Sequence, residues 1–408
     1  MQSLSDLQLL ELTVEGQDFA NDPFRHLKAA REVHPWLAKT SFGYAITEYR
    51  AARELIVHED KLRMGLTEIA DHMGARGTLW GRFIADNIES QTGATHKRLG
   101  GAVASFFTPG KLKAHRPMMR ETMADLLDLW APNGKFDFEE FISFYPISVM
   151  CRLLGAPTEV IPQLRDSLEA LGLAFSMDRS LLPLLDRSVG ILDHFVRDLL
   201  AQRRAHPNAE EQDLLDGLIR VSDEGQMDED ELVSLLIFLF GAGYDTSKNV
   251  LTMMMHTLVD WPQVYARCAE DPNYCRKVMN ETMRWHSPAS SMRHVEQDFV
   301  FRDVLLTAGT VILMPWSVLG RDPTAVAEPD VFDPDRPEGS PHMAFGAGPH
   351  ICLGQFIAKA QVEEGLHLIA QRIRKPRIAG SFGFRPFPGV WGLRGLPIEF
   401  EPALAVAQ

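Results

Sequence analysis

The stretch that most constrains this chain is FGAGPHICLG, Phe345 to Gly354, here called the cysteine loop. Its glycines Gly346 and Gly348 permit backbone conformations with positive φ, so the loop can fold tightly beneath a flat ligand. The run GQFIAKAQVEEGLHLIAQRI predicts a helix that begins just after Cys352. Free N–H groups and the positive end of the helix dipole would favour a thiolate over a thiol there. The arrangement suits a single thiolate directed at a metal.

A lone cysteine near a helix start is usually a small buried apolar residue. Five spaced positions argue against that interpretation here: Phe345, Gly348, His350, Cys352 and Gly354. In these residues the sequence resembles the cytochrome P450 family, whose haem-ligand loop reads FxxGxHxCxG. The resemblance implies that haem b binds this chain, with Cys352 as the axial thiolate ligand of the iron. A thiolate ligand favours O–O bond cleavage, whereas a histidine ligand favours reversible oxygen binding.

Composition restricts the class of protein and its compartment. The chain has 408 residues, of which 45% are hydrophobic, enough to bury a large core. No linker-like stretch divides it, so we predict one P450 domain over residues 1–408. The four cysteines show no paired spacing, and the first residues contain only a short apolar run, which predicts a cytoplasmic protein without a membrane anchor. A net charge of -14 without a basic stripe argues against nucleic acid as a partner.

Most of the sequence is typical of helix. Residues 227–262 predict a long helix that is apolar nearly all round and therefore buried at the centre. Further helices are predicted near 23–33, 95–107, 112–130, 139–154, 183–204 and 272–286, and strands near 43–47, 298–301, 304–314 and 396–401. The fold class is thus mainly α with a smaller β region (α+β). The resemblance implies the P450 fold, whose long central helix sandwiches haem against the cysteine loop.

The middle of the central helix carries AGYDTS, Ala242 to Ser247. Because Gly241 and Gly243 each lower helix stability, we expect a kinked turn with an opened hydrogen-bond ladder. Thr246 could instead bond a carbonyl of its own helix while Asp245 pairs with a base, and the residues alone leave both possibilities open. The resemblance implies that Thr246 and Asp245 are catalytic and deliver the protons that oxygen activation requires.

Glu281 and Arg284 lie three residues apart on one predicted helix face and can form an ion pair. Such a pair is common on solvated surfaces, so it indicates little alone. Its position resembles the family's ExxR helix, which is buried with an arginine from a downstream segment. Here FDPDR supplies Arg336. The resemblance implies a structural role for all three residues.

Three residues match family positions that contact the haem propionates: His96, Arg293 and His350. The family usually has an arginine four residues after the histidine at the position of His96, whereas this chain has Gly100. One propionate therefore lacks its usual arginine, unless Lys97 or Arg98 replaces it. His96 and Arg293 could also be ordinary surface residues.

By family position, the substrate pocket would draw on the variable stretch 64–90, the segment 168–180, the central helix and two C-terminal segments. The predicted pocket residues are Trp80, Phe83, Leu173, Phe175, Phe238, Leu239, Ala242, Ser290, Val390 and Trp391. Their apolar character suits a hydrophobic or aromatic small molecule. An apolar stripe at helical spacing is also the ordinary pattern of core packing.

The resemblance implies a haem-thiolate monooxygenase that activates O2 and inserts one oxygen atom into a C–H bond, as hydroxylation or O-dealkylation. The chain contains no dinucleotide- or flavin-binding motif, so electrons would come from a ferredoxin and its NAD(P)H-dependent reductase. A local group of basic residues could dock that ferredoxin: Lys97, Arg98, Lys111, Lys113 and Arg116. Two alternatives stay open, a peroxide-driven haem-thiolate enzyme and a non-catalytic haem sensor or carrier.

Overall fold

The computed structural model describes residues 2–58, 60–207, 213–337 and 339–403. The helices in these ranges are α1 (Gln17–Asn21), α2 (Pro23–Val33), α3 (Tyr49–Leu55), α4 (Leu66–His72), α5 (Leu79–Asp86), α6 (Gly93–Ala104), α7 (Pro109–Trp130), α8 (Phe138–Leu153), α9 (Ile161–Leu173), α10 (Leu182–Ala205), α11 (Leu214–Asp223), α12 (Glu229–Val259), α13 (Pro262–Glu270), α14 (Pro272–Trp285), α15 (Trp316–Leu319) and α16 (Gln355–Arg372). None of them has both the length and the apolar character needed to cross a membrane.

The strands in the same ranges are short and form four sheets. They are β1 (Gln2–Ser3), β2 (Glu11–Leu12), β3 (Leu37–Thr40), β4 (Gly43–Ile46), β5 (Leu62–Met64), β6 (Lys135–Asp137), β7 (Ser291–Val295), β8 (Phe299–Phe301), β9 (Val304–Leu306), β10 (Val311–Met314), β11 (Ile373–Ile378), β12 (Gly383–Phe384), β13 (Leu393–Arg394) and β14 (Pro397–Pro402). The largest sheet has the order β2-β3-β4-β10-β7-β5, and the others are β1-β9-β8, β11-β14-β6 and β12-β13. The predicted fold class, mainly α with a smaller β region, is confirmed.

Helix α12 runs through the centre of the helical body. It begins at a capping box in which Asp228 and Glu231 each accept a backbone N–H of the other, and it ends just before Trp261 and Pro262. Most of its side chains are buried, and it packs against α8, α9, α10 and α16. A helix that is apolar nearly all round is stable only when neighbouring elements cover it on every side.

The expected opening of the hydrogen-bond ladder at Gly241 and Gly243 is wrong, because α12 is one continuous α-helix of 31 residues. Side-chain packing accounts for Gly243 instead. A methyl group on Gly243 would lie 2.6 Å from Sδ of Met150 on α8, so a larger residue would require the Met150 side chain to shift. A methyl group on Gly241 would lie 3.5 Å from Cδ1 of Leu171, an ordinary contact.

The predicted elements and the observed ones agree best where the pattern was long and periodic. The predicted strand 304–314 is two strands, because Gly309, at φ +89°, and the turn from Thr307 to Thr310 separate β9 from β10. The helices that were not predicted are α1, α3, α4, α5, α9, α11, α13 and α15. These helices have 4 to 13 residues, and tertiary packing supplies much of a short helix's stability.

A buried ionic cluster joins α14 to the segment that precedes the cysteine loop. Nη2 of Arg284 lies 2.6 Å from Oε1 of Glu281, and both side chains are fully buried. Nε of Arg336 lies 3.1 Å from the same oxygen, and the hydroxyl of Ser340 donates to Glu281 at 2.8 Å. Burial acts to raise the pKa of Glu281, but the hydrogen bonds from Arg284 and the Asp333 N–H outweigh it, and the net pKa is lowered.

Candidate active site

A cavity of about 620 Å³ lies between α12 and the cysteine loop. Leu239, Ala242 and Thr246 of α12 line it, as do His350 and Cys352 of the loop. Its volume is typical of a site that encloses a cofactor or a small molecule.

The backbone of the cysteine loop places Cys352 at the cavity. Gly346 and Gly348 have φ values of +65° and +74°, as the sequence predicts for a tight loop. The N–H of Cys352 donates to the carbonyl of Phe345 at 2.9 Å, which closes the loop. Helix α16 begins at Gln355, so the cysteine lies just before the helix cap at Gly354.

The ionisation of Cys352 differs from the sequence expectation. The side chain of Cys352 is exposed to the cavity that it faces. The surrounding protein nevertheless removes most of the water that would solvate the sulfur. That desolvation raises the pKa of Cys352 to about 11; the N–H of Gly354 opposes the rise and the carboxylate of Glu89 adds to it. In the polypeptide alone the thiol is therefore favoured. Thiolate formation must be coupled to binding of the metal, as is general for cysteine ligands.

Three residues predicted to hold propionates lie together at one edge of the cavity, here called the propionate cluster: His96 on α6, Arg293 on β7 and His350. The rings of His96 and His350 are 4.1 Å apart between centroids. Burial lowers the pKa of His350 to about 3, and the neighbouring His96 ring and Arg293 guanidinium add to the effect, so the His350 ring is neutral at pH 7. Arg293 is buried rather than a surface residue.

The position of the missing arginine, Gly100, lies on the cavity wall, and a methyl group there would meet nothing within 4 Å. Arg98 does not replace it. Its guanidinium donates to Glu231 on α12 at 2.9 Å and to the carbonyl of Gln226 at 2.6 Å. Lys97 lies on the cavity wall.

Thr246 lies on the cavity wall and is partly buried. Its hydroxyl donates to the carbonyl of Ala242 at 2.8 Å, the bond expected of a threonine that only caps its own helix turn. The hydroxyl oxygen can still accept a hydrogen bond from a molecule in the cavity.

Asp245 belongs to a buried polar cluster, here called the acid cluster, with Lys248, Asn249 and Arg385. Its Oδ1 accepts from Nη1 of Arg385 at 2.6 Å and from Nδ2 of Asn249 at 3.0 Å. Nζ of Lys248 lies 3.7 Å from the same oxygen. A methyl group on Gly172 would lie 1.7 Å from Oδ2 of Asp245, so only glycine fits there.

The acid cluster extends towards the protein surface. Nζ of Lys248 lies 2.6 Å from Oε1 of Glu139 and 3.5 Å from Oε2 of Glu169. The side chain of Glu169 is 39% exposed, whereas Lys248 is fully buried. A chain of charged groups therefore connects Asp245 to solvent.

Most of the predicted pocket residues lie on the cavity wall, namely Trp80, Phe83, Phe175, Phe238, Leu239, Ala242, Ser290 and Val390. Leu173 and Trp391 do not line it. The neighbours Leu171 and Gly172 take the place of Leu173. Trp391 is a core residue, because its indole N–H donates to the carbonyl of Ala20 at 3.0 Å and its ring stacks on Phe384.

Sequence reasoning missed three charged residues of this site. Arg385 follows Asp245 by 140 positions, and nothing local marks the two as partners. Lys248, three residues after Asp245, could have been found as a charge inside an otherwise apolar helix. Glu89 lies within the variable stretch 64–90 and carries no motif of its own.

The helical body, the central helix and the cysteine at its cavity together define a haem-thiolate protein. The cytochrome P450 family model matches residues 44–374, and the chain belongs to that family. It is 32% identical to luteothin monooxygenase of Streptomyces thioluteus over 98% of both chains. It is 26% identical to the biotin biosynthesis cytochrome P450 of Bacillus subtilis over 95% of this chain and 98% of that one.

Solved structures show the same fold. CalO2 superposes with a TM-score of 0.86 at 23% identity, covering 97% of this chain and 100% of that one. P450BioI, solved with an acyl carrier protein, superposes with a TM-score of 0.84 at 24% identity, covering 94% and 100%. The chain is a P450 monooxygenase, and proteins of this family bind haem through a cysteine thiolate.

The residues present fit that cofactor. A cavity of about 620 Å³ exposes the side chain of Cys352, and the propionate cluster and Lys97 supply hydrogen-bond donors and positive charge at one edge of it. Most of the rest of the wall is apolar, as a flat macrocycle requires.

Proposed function

We propose that this monooxygenase inserts one oxygen atom from O2 into a C–H bond of a small hydrophobic or aromatic molecule, as hydroxylation or O-dealkylation. The observation that carries the proposal is the joint position of Cys352 and Thr246 on one mainly apolar cavity. When bound, haem with a thiolate ligand supplies the oxygen-activating chemistry. We place the enzyme in the cytoplasm.

Cys352 is proposed as the iron ligand, and the propionate cluster with Lys97 is proposed to hold the cofactor's carboxylates. Phe238, Leu239 and Ala242 on α12 would bind the substrate by apolar contact and exclude water from it. Glu281, Arg284 and Arg336 are proposed to be structural.

Thr246 is proposed to position water in the cavity, with Asp245 as the acid that supplies protons to it. The acid cluster supports this, since Lys248 and Glu169 link Asp245 to the surface. Protons could pass from solvent by way of Glu169 and then Lys248 to Asp245 without crossing the apolar wall. An apolar pocket has no donor of its own, so the catalytic protons need such a route.

The electron donor is proposed to be a ferredoxin with its NAD(P)H-dependent reductase, docking near the cysteine loop. Two of the basic residues expected to dock the ferredoxin are already in ion pairs. Arg98 pairs with Glu231, and Arg116 pairs with carboxylates of α16. Exposed Ile351 and Phe356, which flank Cys352 in sequence, add apolar surface to this face.

The ligand assignment is tested with Cys352→Ser. The purified wild-type protein should show the reduced-carbonyl spectrum of a haem-thiolate, and the variant should lose it. Cys151→Ser, which alters a buried thiol of α8, is the control and should keep it. A wild-type spectrum from Cys352→Ser would refute the assignment.

The role of Thr246 is tested with Thr246→Ala, using a substrate found by screening a library for changes in haem absorption. The variant should consume NADH without matching product and release hydrogen peroxide. Thr257→Ala is a matched control, because Thr257 lies on the same helix and its hydroxyl makes the same type of bond, to Met253 at 2.9 Å, away from the cavity. Unchanged coupling in Thr246→Ala would contradict the role.

A further inference from the structure

Glu89 is a carboxyl group at the boundary between two cavities. It lines the main cavity and also a side pocket of about 50 Å³, whose wall includes Ile69, Phe175, Ser290 and Ser291. Both walls also share Met64, Phe175, Ser290, Ser291 and Pro388, so the side pocket adjoins the main cavity. Within the described part of the chain, no residue donates a hydrogen bond to either carboxylate oxygen of Glu89.

The local backbone holds this carboxyl group in place. Asn87 ends helix α5 and is buried, and its Oδ1 accepts the N–H of Glu89 at 2.9 Å and that of Ser90 at 3.2 Å. The Ser90 hydroxyl in turn donates to the carbonyl of Ile84 at 2.5 Å. These three bonds fix the turn, so the side chain of Glu89 is directed to the cavity by the fold.

A carboxylate in such a place is costly when it is charged. Burial raises the pKa of Glu89, and the positive charge of Arg293 opposes that rise. Burying a charged group without a hydrogen bond carries a large desolvation penalty. A ligand that brought a positive charge to Glu89 would offset this penalty.

The other charged residues described on the wall of the main cavity are assigned to other partners, so the positive charge beside Glu89 would come from the ligand. Asp245, the other acidic residue described on the wall, is paired with Arg385. The basic residues on the wall are Lys97 and the propionate cluster, which would face the two propionates when haem is bound. Glu89 then remains a negative group on the wall of the side pocket, which the ring of Phe175 also lines. Aromatic rings attract cations, quaternary ammonium groups above all.

We propose that Glu89 and Phe175 form an ammonium-binding subsite, so that the substrate is a small apolar molecule carrying a protonated or quaternary nitrogen. This inference rests on the proposed function and narrows its substrate class. The apolar wall binds the part to be oxidised, and the subsite sets its orientation in the cavity.

The test compares two probes of one shape, (3-phenylpropyl)trimethylammonium and the hydrocarbon with carbon in place of nitrogen. A quaternary nitrogen has no lone pair, so it cannot ligate iron and confuse the result. Binding to the haem-loaded enzyme is measured by calorimetry. The wild type should bind the cation at least about tenfold more tightly than the hydrocarbon, as expected for a charge-assisted contact.

Glu89→Gln keeps the size of the side chain and should abolish that preference, while affinity for the hydrocarbon stays within about twofold. Glu89→Asp should give a smaller preference than wild type. Glu32→Gln, on the exposed face of α2, should behave as wild type.

Equal affinity of the wild type for both probes, or absence of binding by either, overturns the proposal, as does an unchanged preference in Glu89→Gln. The reduced-carbonyl spectrum is recorded for each variant. A wild-type protein that does not show this spectrum would count against the proposed function. A wild-type protein that shows the spectrum but does not prefer the cation would count against the subsite alone.

Discussion

At the scale of single residues, this chain balances charge at the haem edge differently from the family pattern. Gly100 stands where an arginine is usual, and Arg98 is occupied by Glu231. Lys97 lies on the cavity wall instead. A lysine is a flexible point charge, whereas an arginine can bind a carboxylate through two parallel hydrogen bonds.

We therefore expect Lys97→Ala to release haem faster, by up to about fivefold, because a partly exposed ion pair contributes at most about 1 kcal/mol. Gly100→Arg should slow release, since the position has open space and glycine is a poor helix former. Haem transfer to excess apomyoglobin measures both rates. Arg98→Ala is the control and should transfer haem at the wild-type rate; equal rates in all four proteins would contradict the assignment.

His286 gives the protein a dependence on pH. Burial holds the pKa of His286 well below its usual value, with Arg321 and His256 adding to the effect. In the unfolded chain the pKa is about 6.5. Below that pH the unfolded chain takes up a proton that the folded protein excludes, so this contribution to stability is present above pH 6.5 and lost as pH falls.

The expected slope from His286 is about 1.4 kcal/mol per pH unit below pH 6.5. His286→Gln should therefore flatten the fall in unfolding free energy between pH 6.5 and 5, measured by urea denaturation. His194→Gln changes an exposed imidazole on α10 and serves as the control. Parallel pH profiles for wild type and His286→Gln would contradict the prediction.

At the scale of elements, the packing of α12 on α8 accounts for Gly243, where the sequence alone predicted a kinked turn. A methyl group on Gly243 would require the side chain of Met150 to shift, while Gly241 has ordinary space. The unbroken helix means that room in the cavity comes from small side chains such as Ala242, and not from an opened backbone.

The two glycines form a matched pair for experiment. Gly241→Ala should stabilise the protein by up to about 1 kcal/mol through helix propensity. Gly243→Ala gains the same propensity but overpacks the interface, so it should be less stable than Gly241→Ala by about 1–3 kcal/mol. Urea unfolding of the haem-loaded proteins measures the difference. Equal stabilities would show that Met150 moves aside without cost.

At the scale of the whole molecule, the Glu281 cluster connects the helical body to the segment leading into the cysteine loop. Arg284 also donates to the carbonyls of Gly320, Pro329 and Val331, so one guanidinium ties three turns of that segment together. Removing one partner of a buried ion pair leaves an uncompensated charge. That the whole chain forms one domain stays a prediction.

Glu281→Gln should lower the free energy of unfolding by about 3–5 kcal/mol and reduce the yield of haem-loaded protein. The exposed substitution Glu32→Gln controls for loss of one negative charge. Stability is measured by urea unfolding and haem content by absorption. Full stability of Glu281→Gln with an unchanged haem yield would contradict a structural role.

Local features of the sequence determined the cysteine loop, the long central helix and the family. These depend on neighbours in the chain: positive φ at Gly346 and Gly348, periodicity in α12, and a capping box at its start. Such short-range constraints act before the chain has folded, so they can be read without a structure.

The tertiary structure alone decided which distant residues meet and what burial does to their charge. It paired Asp245 with Arg385, removed Trp391 from the pocket and placed Glu89 on the cavity wall. It also raised the pKa of Cys352, where the helix start had suggested a stabilised thiolate. The reason is physical: contacts between distant segments and the desolvation they impose exist only after the chain is packed.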